Sequence, residues 1–302
     1  MNPSLVRCVG HCAEEPQVSD ANSASLYVVA TPIGNLEDLS PRAARLLGEV
    51  ALIAAEDTRH TGRLLRHLGL SVPLLSLHEH NEAARVEQLD ARLVAGQSIA
   101  LVSDAGTPLI SDPGFVLVRE LRARGRRIVP VPGACALVAA LSAAGLPTDR
   151  FTFQGFLPAK GSGRRARLEA LAAREETLVF YESPHRIRDT LADLATVVGE
   201  RRLVLARELT KAFETFLDGS ADELLARMEA DPDQARGEFV VMVAGAAPRV
   251  EEGASVVEGE ALLAALLAEG VGVKQAASVA ARVVGGAKKA WYARAQALKD
   301  AG

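Results

Sequence analysis

Residues 98–131, SIALVSDAGTPLISDPGFVLVRELRARGRRIVPV, constrain the fold of this chain more than any other stretch. A short apolar run, Ile99 to Val102, gives way to Ser103-Asp104-Ala105-Gly106-Thr107-Pro108, the pattern of a buried strand that ends in a tight, glycine-bearing loop. A second turn follows at Asp112-Pro113-Gly114. Apolar positions then recur at Phe115, Val118 and Leu121 with helical spacing, stop at Gly125, and resume as the run Ile128 to Val131. Strand, loop, helix and strand in this order make a parallel α/β unit. Ligands of such sheets bind beyond the carboxyl ends of the strands, so residues 104–111 are the main candidate small-molecule site.

The rest of the chain repeats the alternation. Strand patterns near 26–30, 50–55 and 74–77 alternate with a helix after Ser40-Pro41, a helix opened by Thr58 and a helix over 81–95; a further helix over 134–144 follows the central unit. This predicts a mainly parallel sheet in an N-terminal α/β domain, 26–148. Strands near 150–154, 177–181, 203–207, 214–218 and 239–244 predict a C-terminal α/β domain, 149–248, whose hairpin-like strands imply a mixed sheet. After an acidic linker, residues 256–302 are alanine-rich and are divided by Val271-Gly272 and Gly285-Gly286 into about three short helices, a small appended bundle. Residues 1–25 lack periodicity and are expected to be a disordered tail.

Of the 302 residues 49% are hydrophobic, enough to bury a large core, yet no apolar run approaches the roughly 20 residues of a membrane span. A formal charge of −4 argues against nucleic-acid binding by overall charge, so an RNA partner would have to meet a local basic patch. Three cysteines form no disulfide framework, which fits a cytoplasmic protein, and no secretory signal is recognisable. Cys8, His11 and Cys12 lack a second ligand pair, and His78 and His80 lack a third ligand. No metal site is expected at either place.

Four polar clusters follow predicted strands. Thr31-Pro32-Ile33-Gly34-Asn35 lets backbone approach a ligand but lacks the dinucleotide fingerprint. Glu56-Asp57-Thr58-Arg59 places two acids at a strand end, as a catalytic group or as a cap and salt-bridge cluster. Glu182-Ser183-Pro184-His185-Arg186 has Ser183 in a capping position and Pro184 in the first helical turn; without a G-x-S-x-G elbow it is no hydrolase signature. Arg207-Glu208-Leu209-Thr210-Lys211, with Glu214, suits either a salt-bridged surface or a polar active site. Separately, Lys160, Arg164, Arg165 and Arg167 crowd a glycine and serine loop at a helix amino end, where the helix dipole disfavours cations. They are candidate RNA-phosphate contacts, against the alternative of a solvated loop. Lys274, Arg282, Lys288, Lys289 and Arg294, interleaved with Trp291 and Tyr292, admit the same two readings.

Taken in order, VATPIGNLEDLSPRA, AEDTR, VSDAGTPLISDPG, FYESPHR, ELTKAFE and GEFVV closely resemble the ribosomal RNA small subunit methyltransferase I family of the tetrapyrrole methylase superfamily. The likeness covers about 26–245 and is weaker in the terminal bundle. It implies two α/β domains of the tetrapyrrole methylase type (class III methyltransferases) and S-adenosylmethionine bound between them. It further implies 2′-O-methylation of a cytidine ribose in 16S ribosomal RNA, in the small ribosomal subunit, by a homodimer.

Carried over by position, the resemblance implies cofactor contacts at Pro32, Ala105, Gly106, Thr107, Ile110, Ser111, Cys135, Ala136, Tyr181 and Glu182, with Thr107 where the superfamily usually has an acid. For catalysis, strand-end groups that an interdomain cleft could bring together are the candidates: Asp57 with Arg59 as positioning partner, then Glu182 and Lys211. Two rivals stand beside this reading. A small-molecule methylase of the same fold would need no polyanion site, and a non-catalytic RNA-binding or assembly protein would need no cofactor loop.

Overall fold

The computed structural model describes residues 24–78, 80–247 and 252–301. The expected tail, with Cys8, His11 and Cys12, lies outside the described residues up to 23. One compact unit extends through Ala246 and holds two five-stranded sheets, and a second unit begins at Ala247. Among the described residues no helix is long and apolar enough to cross a membrane.

The first sheet is wholly parallel. Its strands are β1 (Ser25–Val29), β2 (Leu52–Ala55), β3 (Leu74–Ser76), β4 (Ile99–Val102) and β5 (Arg127–Val131), in the order β3-β2-β4-β1-β5. The strands read as unbroken apolar runs because both faces are covered. Ile53, Ala55, Ala100 and Val102 pack with Leu46 and Leu47 of α1 (Pro41–Glu49) and Leu64 of α2 (Thr58–His67). Their neighbours Leu52, Ala54, Ile99 and Leu101 point the other way. They pack with Leu89 of α3 (Glu82–Val94) and Leu117 and Leu121 of α4 (Phe115–Ala123). The helix that follows β1 thus lies on one face and the helix that follows β4 on the other. Between two adjacent strands whose connections part in this way a crevice opens at the carboxyl ends.

The second sheet is mixed, in the order β6-β7-β10-β8-β9, from β6 (Phe151–Phe156), β7 (Thr177–Glu182), β8 (Leu203–Arg207), β9 (Thr215–Gly219) and β10 (Phe239–Val243). Only β6 and β7 are parallel. One face is covered by α6 (Gly161–Leu171), α7 (Ile187–Val198) and α8 (Ala221–Ala230). On the other face, Leu137, Ala140 and Leu141 of α5 (Ala136–Ala143) pack against Val179, Val204, Ala206, Val240 and Met242. This helix leaves the first sheet and seats on the second, which fixes the crevice next to β7, β8 and β10.

The cap of α2 and the start of α7 differ from the sequence expectation. Asp57, not Thr58, is the N-cap of α2, because its carboxylate reaches the Arg59 N–H at 2.8 Å. Residues 183–186 form a turn in which Ser183 accepts the Arg186 and Ile187 N–H groups through its carbonyl, so α7 begins three residues after Pro184.

The second unit contains α9 (Glu252–Ala268), α10 (Val273–Val283) and α11 (Lys288–Ala301), the first longer than the short helix expected. Trp291 is buried among Leu263, Ala276, Ala277, Ala280 and Ala295, and its indole N–H donates to the Gly285 carbonyl at 2.6 Å. A β-carbon on Gly259 would lie 2.1 Å from that ring, so only glycine admits the indole there. Trp291 is therefore core and not a free stacking platform for a base, while Lys274, Arg282, Lys288 and Lys289 are exposed.

Candidate active site

The loops after β1 and β4 are joined by an antiparallel bridge between Thr31 and Gly106. Beyond it, the chain from Gly106 to Ser111 turns sharply, with Gly106 at φ 82°, Leu109 at φ 72° and Ser111 at φ 71°. A second loop, after β8, holds Glu208 at φ 52° and Thr210 at φ 64°. These four are the only non-glycine residues with left-handed backbone among the described residues. Left-handed backbone costs L side chains about 1–2 kcal/mol each, most for a β-branched residue such as Thr210. Strain gathered in two facing loops marks a functional site.

Between these loops lies a cavity of about 310 Å³. Its walls are largely apolar, from Ile33, Ile110, Ala136, Phe156, Phe239 and Val240. Thr107 hydroxyl donates to the Ala134 carbonyl at 3.0 Å and ties the loop to the start of α5. Tyr181 accepts the Leu137 N–H at 3.1 Å; burial first, and then the nearby Cys135 thiol, push its phenol up to about 12.

The cavity is net acidic. Asp112, Glu182 and Glu238 line it against the single ammonium of Lys211. Lys211 Nζ lies 2.9 Å from Glu208 Oε1 and 3.0 Å from Glu238 Oε2. Burial alone would lower its pKa, but hydrogen bonds to the two carboxylates outweigh it and raise the value above the ordinary one. Lys211 is thus held as a cation. Glu182 is 2% exposed and accepts the Ser183 N–H at 2.8 Å and the Thr190 hydroxyl at 2.7 Å, with Arg186 Nε 3.3 Å away. Its oxygens are committed to structure. Asp112 differs, because burial, followed by the charges of Glu56 and Asp104, pushes its carboxyl up to about 6 against an opposing hydrogen bond from Ser103.

Of the sequence candidates, Ala105, Gly106, Thr107, Ile110, Ser111, Cys135, Ala136, Tyr181, Glu182 and Lys211 line this cavity. Pro32 does not: it faces a separate hollow on the far side of the Thr31–Gly106 bridge, and its neighbour Ile33 takes the cavity wall. Asp57 and Arg59 are absent from both linings. Arg59 Nη2 lies 2.6 Å from Asp57 Oδ2 with the arginine side chain 87% exposed, so the pair caps and clamps α2 and does not reach the cavity. Asp112, Leu209 and Glu238 were missed. Asp112 read as part of a turn, although it directly follows the predicted contact Ser111.

The basic segment also departs from expectation. Arg164, Arg165 and Arg167 lie within α6, which starts at Gly161, and not in a loop. Arg164 is 5% exposed, with its Nε 2.6 Å from Asp193 Oδ2 on α7, and Arg165 Nη1 lies 3.0 Å from Asp193 Oδ1. Arg167 donates to the Gln154 side chain. The carboxylate that pairs with Arg164 comes from 29 positions away, and of the four cations only Lys160 has no such side-chain contact among the described residues.

A wholly parallel sheet, a mixed sheet and a strained loop pair around an apolar cavity define a methyltransferase of the tetrapyrrole methylase class: residues 25–225 match the family Tetrapyrrole (Corrin/Porphyrin) Methylases. The fold is shared with uroporphyrin-III-C-methyltransferase from Thermus thermophilus (TM-score 0.52, 23% identity, 73% of this chain and 94% of that one) and with cobalt precorrin-4 methyltransferase (TM-score 0.56, 16% identity, 73% and 94%). Residues 253–299 match the RsmI C-terminal HTH domain. Ribosomal RNA small subunit methyltransferase I of Pseudomonas aeruginosa is 55% identical over 91% of this chain and 97% of its own length, and the Escherichia coli O157:H7 protein of the same name is 51% identical over 92% and 97%. The chain belongs to the ribosomal RNA small subunit methyltransferase I family.

Tetrapyrrole methylases use S-adenosylmethionine, and the cavity suits it. Apolar walls can take the adenosine, the carboxylate excess favours a sulfonium cation over a phosphate-bearing cofactor, and Gly106 lets Ile33 and the Ala134 carbonyl close against the loop.

Proposed function

We propose that this chain methylates the ribose 2′-oxygen of a cytidine in 16S ribosomal RNA within the small ribosomal subunit, as a cytoplasmic homodimer. The observation that carries the reading is the cavity between the two strained loops, in a chain whose relatives along nearly its whole length are named as ribosomal RNA methyltransferases. That likeness at 55% identity outweighs the 16–23% fold likeness to tetrapyrrole enzymes, which disfavours a small-molecule substrate. The formed cavity disfavours a non-catalytic assembly role.

Bound there, S-adenosylmethionine supplies an electrophilic methyl group to the 2′-oxygen. The residues provide the rest. Asp112 is the one cavity carboxylate with neither a cationic partner nor a full set of donors, and a carboxyl poised near 6 is mostly ionised at neutral pH and able to take the hydroxyl proton. Lys211, in the loop after β8 and held by Glu208 and Glu238, orients the hydroxyl or its neighbouring phosphate. Tyr181 and Thr107 lock α5 and the Gly106 loop against one another's neighbours, which keeps the cavity walls in register.

Mapping ribose methylation on small-subunit ribosomal RNA with and without the protein tests the proposal. A single 2′-O-methylcytidine that depends on the protein supports it. Methylation of a base, or none, overturns it. The same assay on naked RNA and on intact subunits separates the two substrates, and light scattering decides the homodimer.

A further inference from the structure

A second hollow, of about 150 Å³, lies across the Thr31–Gly106 bridge from the cofactor cavity. Pro32, Leu36 and Leu64 form its apolar walls, and His60, Arg63 and His67 of α2 edge it. The methyl-transfer chemistry above uses none of these side chains.

Helix α2 reads TRHTGRLLRH, with three arginines, two histidines and no acid. His60, Arg63 and His67 recur at spacings of three and four, which puts them on one face. Arg59 is clamped by Asp57. Arg63 and Arg66 are exposed, and among the described residues neither forms an ion pair, unlike Arg124, Arg126, Arg164 and Arg202 elsewhere in the unit. Asp104, the acid in the hollow, already accepts the Asp57 N–H at 3.0 Å.

We propose that this hollow is a subsite for an RNA nucleotide adjacent to the methylated one, with its base against the imidazoles and leucines and its phosphate on Arg63, while Arg66, outside the lining, meets the adjoining backbone. The inference rests on the proposed rRNA substrate. Two features select the occupant. Helix α2 carries three arginines and no acid in a chain of net charge −4, so it complements a polyanion where the chain as a whole does not. The hollow also shares both loops with the cofactor cavity: Thr31, Pro32, Ser103 and Asp104 face it, while Ile33, Ala105 and Gly106 face the cavity. A strand with its target ribose in the cavity would lay the next nucleotide here. Single-stranded RNA is held in this manner, by base stacking on rings and by cations on the backbone.

The test uses the full chain with a transcript of small-subunit ribosomal RNA, with isolated small subunits, and with S-adenosylmethionine in calorimetry. The double variant Arg63→Gln, Arg66→Gln should bind the transcript about tenfold more weakly, with the slope of log affinity against log salt reduced by ~0.7 to 0.9 per lost contact. Arg63→Lys should keep the slope. His67→Ala should raise KM for RNA with the slope unchanged, because a stacking contact releases no counterion. Cofactor affinity should stay at the parent value in each. Folded variants with unchanged slope and unchanged KM overturn the subsite while the parent still methylates RNA, whereas a parent that methylates no ribosomal RNA overturns the substrate reading itself. Unchanged binding to the transcript with weakened binding to intact subunits would assign this face to a ribosomal protein and also overturn it.

Discussion

Thr31 and Gly106 exchange backbone hydrogen bonds in both directions, Thr31 N–H to Gly106 O at 2.9 Å and Gly106 N–H to Thr31 O at 3.1 Å. The pair closes the crevice between β1 and β4 at the switch point of the sheet and divides it into two compartments. Thr31, Pro32, Ser103 and Asp104 border one compartment and Ile33, Ala105 and Gly106 the other, so one pair of loops walls both.

Gly106 has no substitute in this arrangement. At φ 82° an L side chain is strained, and a β-carbon would lie 3.1 Å from Ile33 Cγ2. Gly106→Val should abolish S-adenosylmethionine binding in calorimetry and cost about 1–2 kcal/mol of stability. Parent-like affinity in the folded variant would move the cofactor elsewhere.

Asp112→Asn should cut single-turnover methyl transfer by about 100-fold with cofactor binding retained. The parent rate should rise with pH through about 6, the value to which burial first pushes this carboxyl, and the variant should lose that limb. Stability should respond in the opposite sense. The folded carboxyl binds its proton more tightly than the unfolded one, whose ordinary value is 3.8, so the contribution of Asp112 to stability falls as pH rises from about 4 to about 6. The melting temperature of the variant should depend less on pH in that window. A rate within a few fold of the parent would remove Asp112 from the proton transfer.

Asp57→Ala should melt at lower temperature and retain a methylation rate within a few fold of the parent. The side chain and backbone N–H of Arg59 hold the Asp57 carboxyl well below the usual carboxylate range. Its stabilisation is therefore complete at neutral pH and is lost only as pH falls through that lowered value. Parent and variant should converge in acid. A rate loss near 100-fold would return Asp57 to the chemistry.

Asp193→Ala leaves the Arg164 guanidinium buried without its partner, with only 6% of that side chain exposed. Breaking such a pair costs roughly 3–5 kcal/mol, measurable by urea denaturation. A loss under about 1 kcal/mol would mean that Arg164 swings out to solvent, which would reopen α6 as an RNA contact.

The strands and the cavity-lining loop after β4 were legible because burial on both faces writes an unbroken apolar run, as in Ile99 to Val102, and because glycine and proline mark where it ends. Side-chain partners were not legible. Arg164 reads as a free cation until α7 brings Asp193 beside it, and Asp57 reads as a catalytic acid until its own helix claims it. The bridge at Thr31 decides that Ile33, and not Pro32, faces the cavity, a matter of local backbone direction that composition does not encode. Asp112 was hidden by its setting, since Asp-Pro-Gly announces a turn and says nothing of what the carboxylate faces.

Digestion of methylated small-subunit ribosomal RNA to nucleosides, after reaction with labelled S-adenosylmethionine and either the parent or Gly106→Val, joins cavity and chemistry in one readout. The parent should place the label in 2′-O-methylcytidine alone and the variant should place none. Label in a base-methylated nucleoside, or equal label from both proteins, would contradict ribose methylation from this cavity.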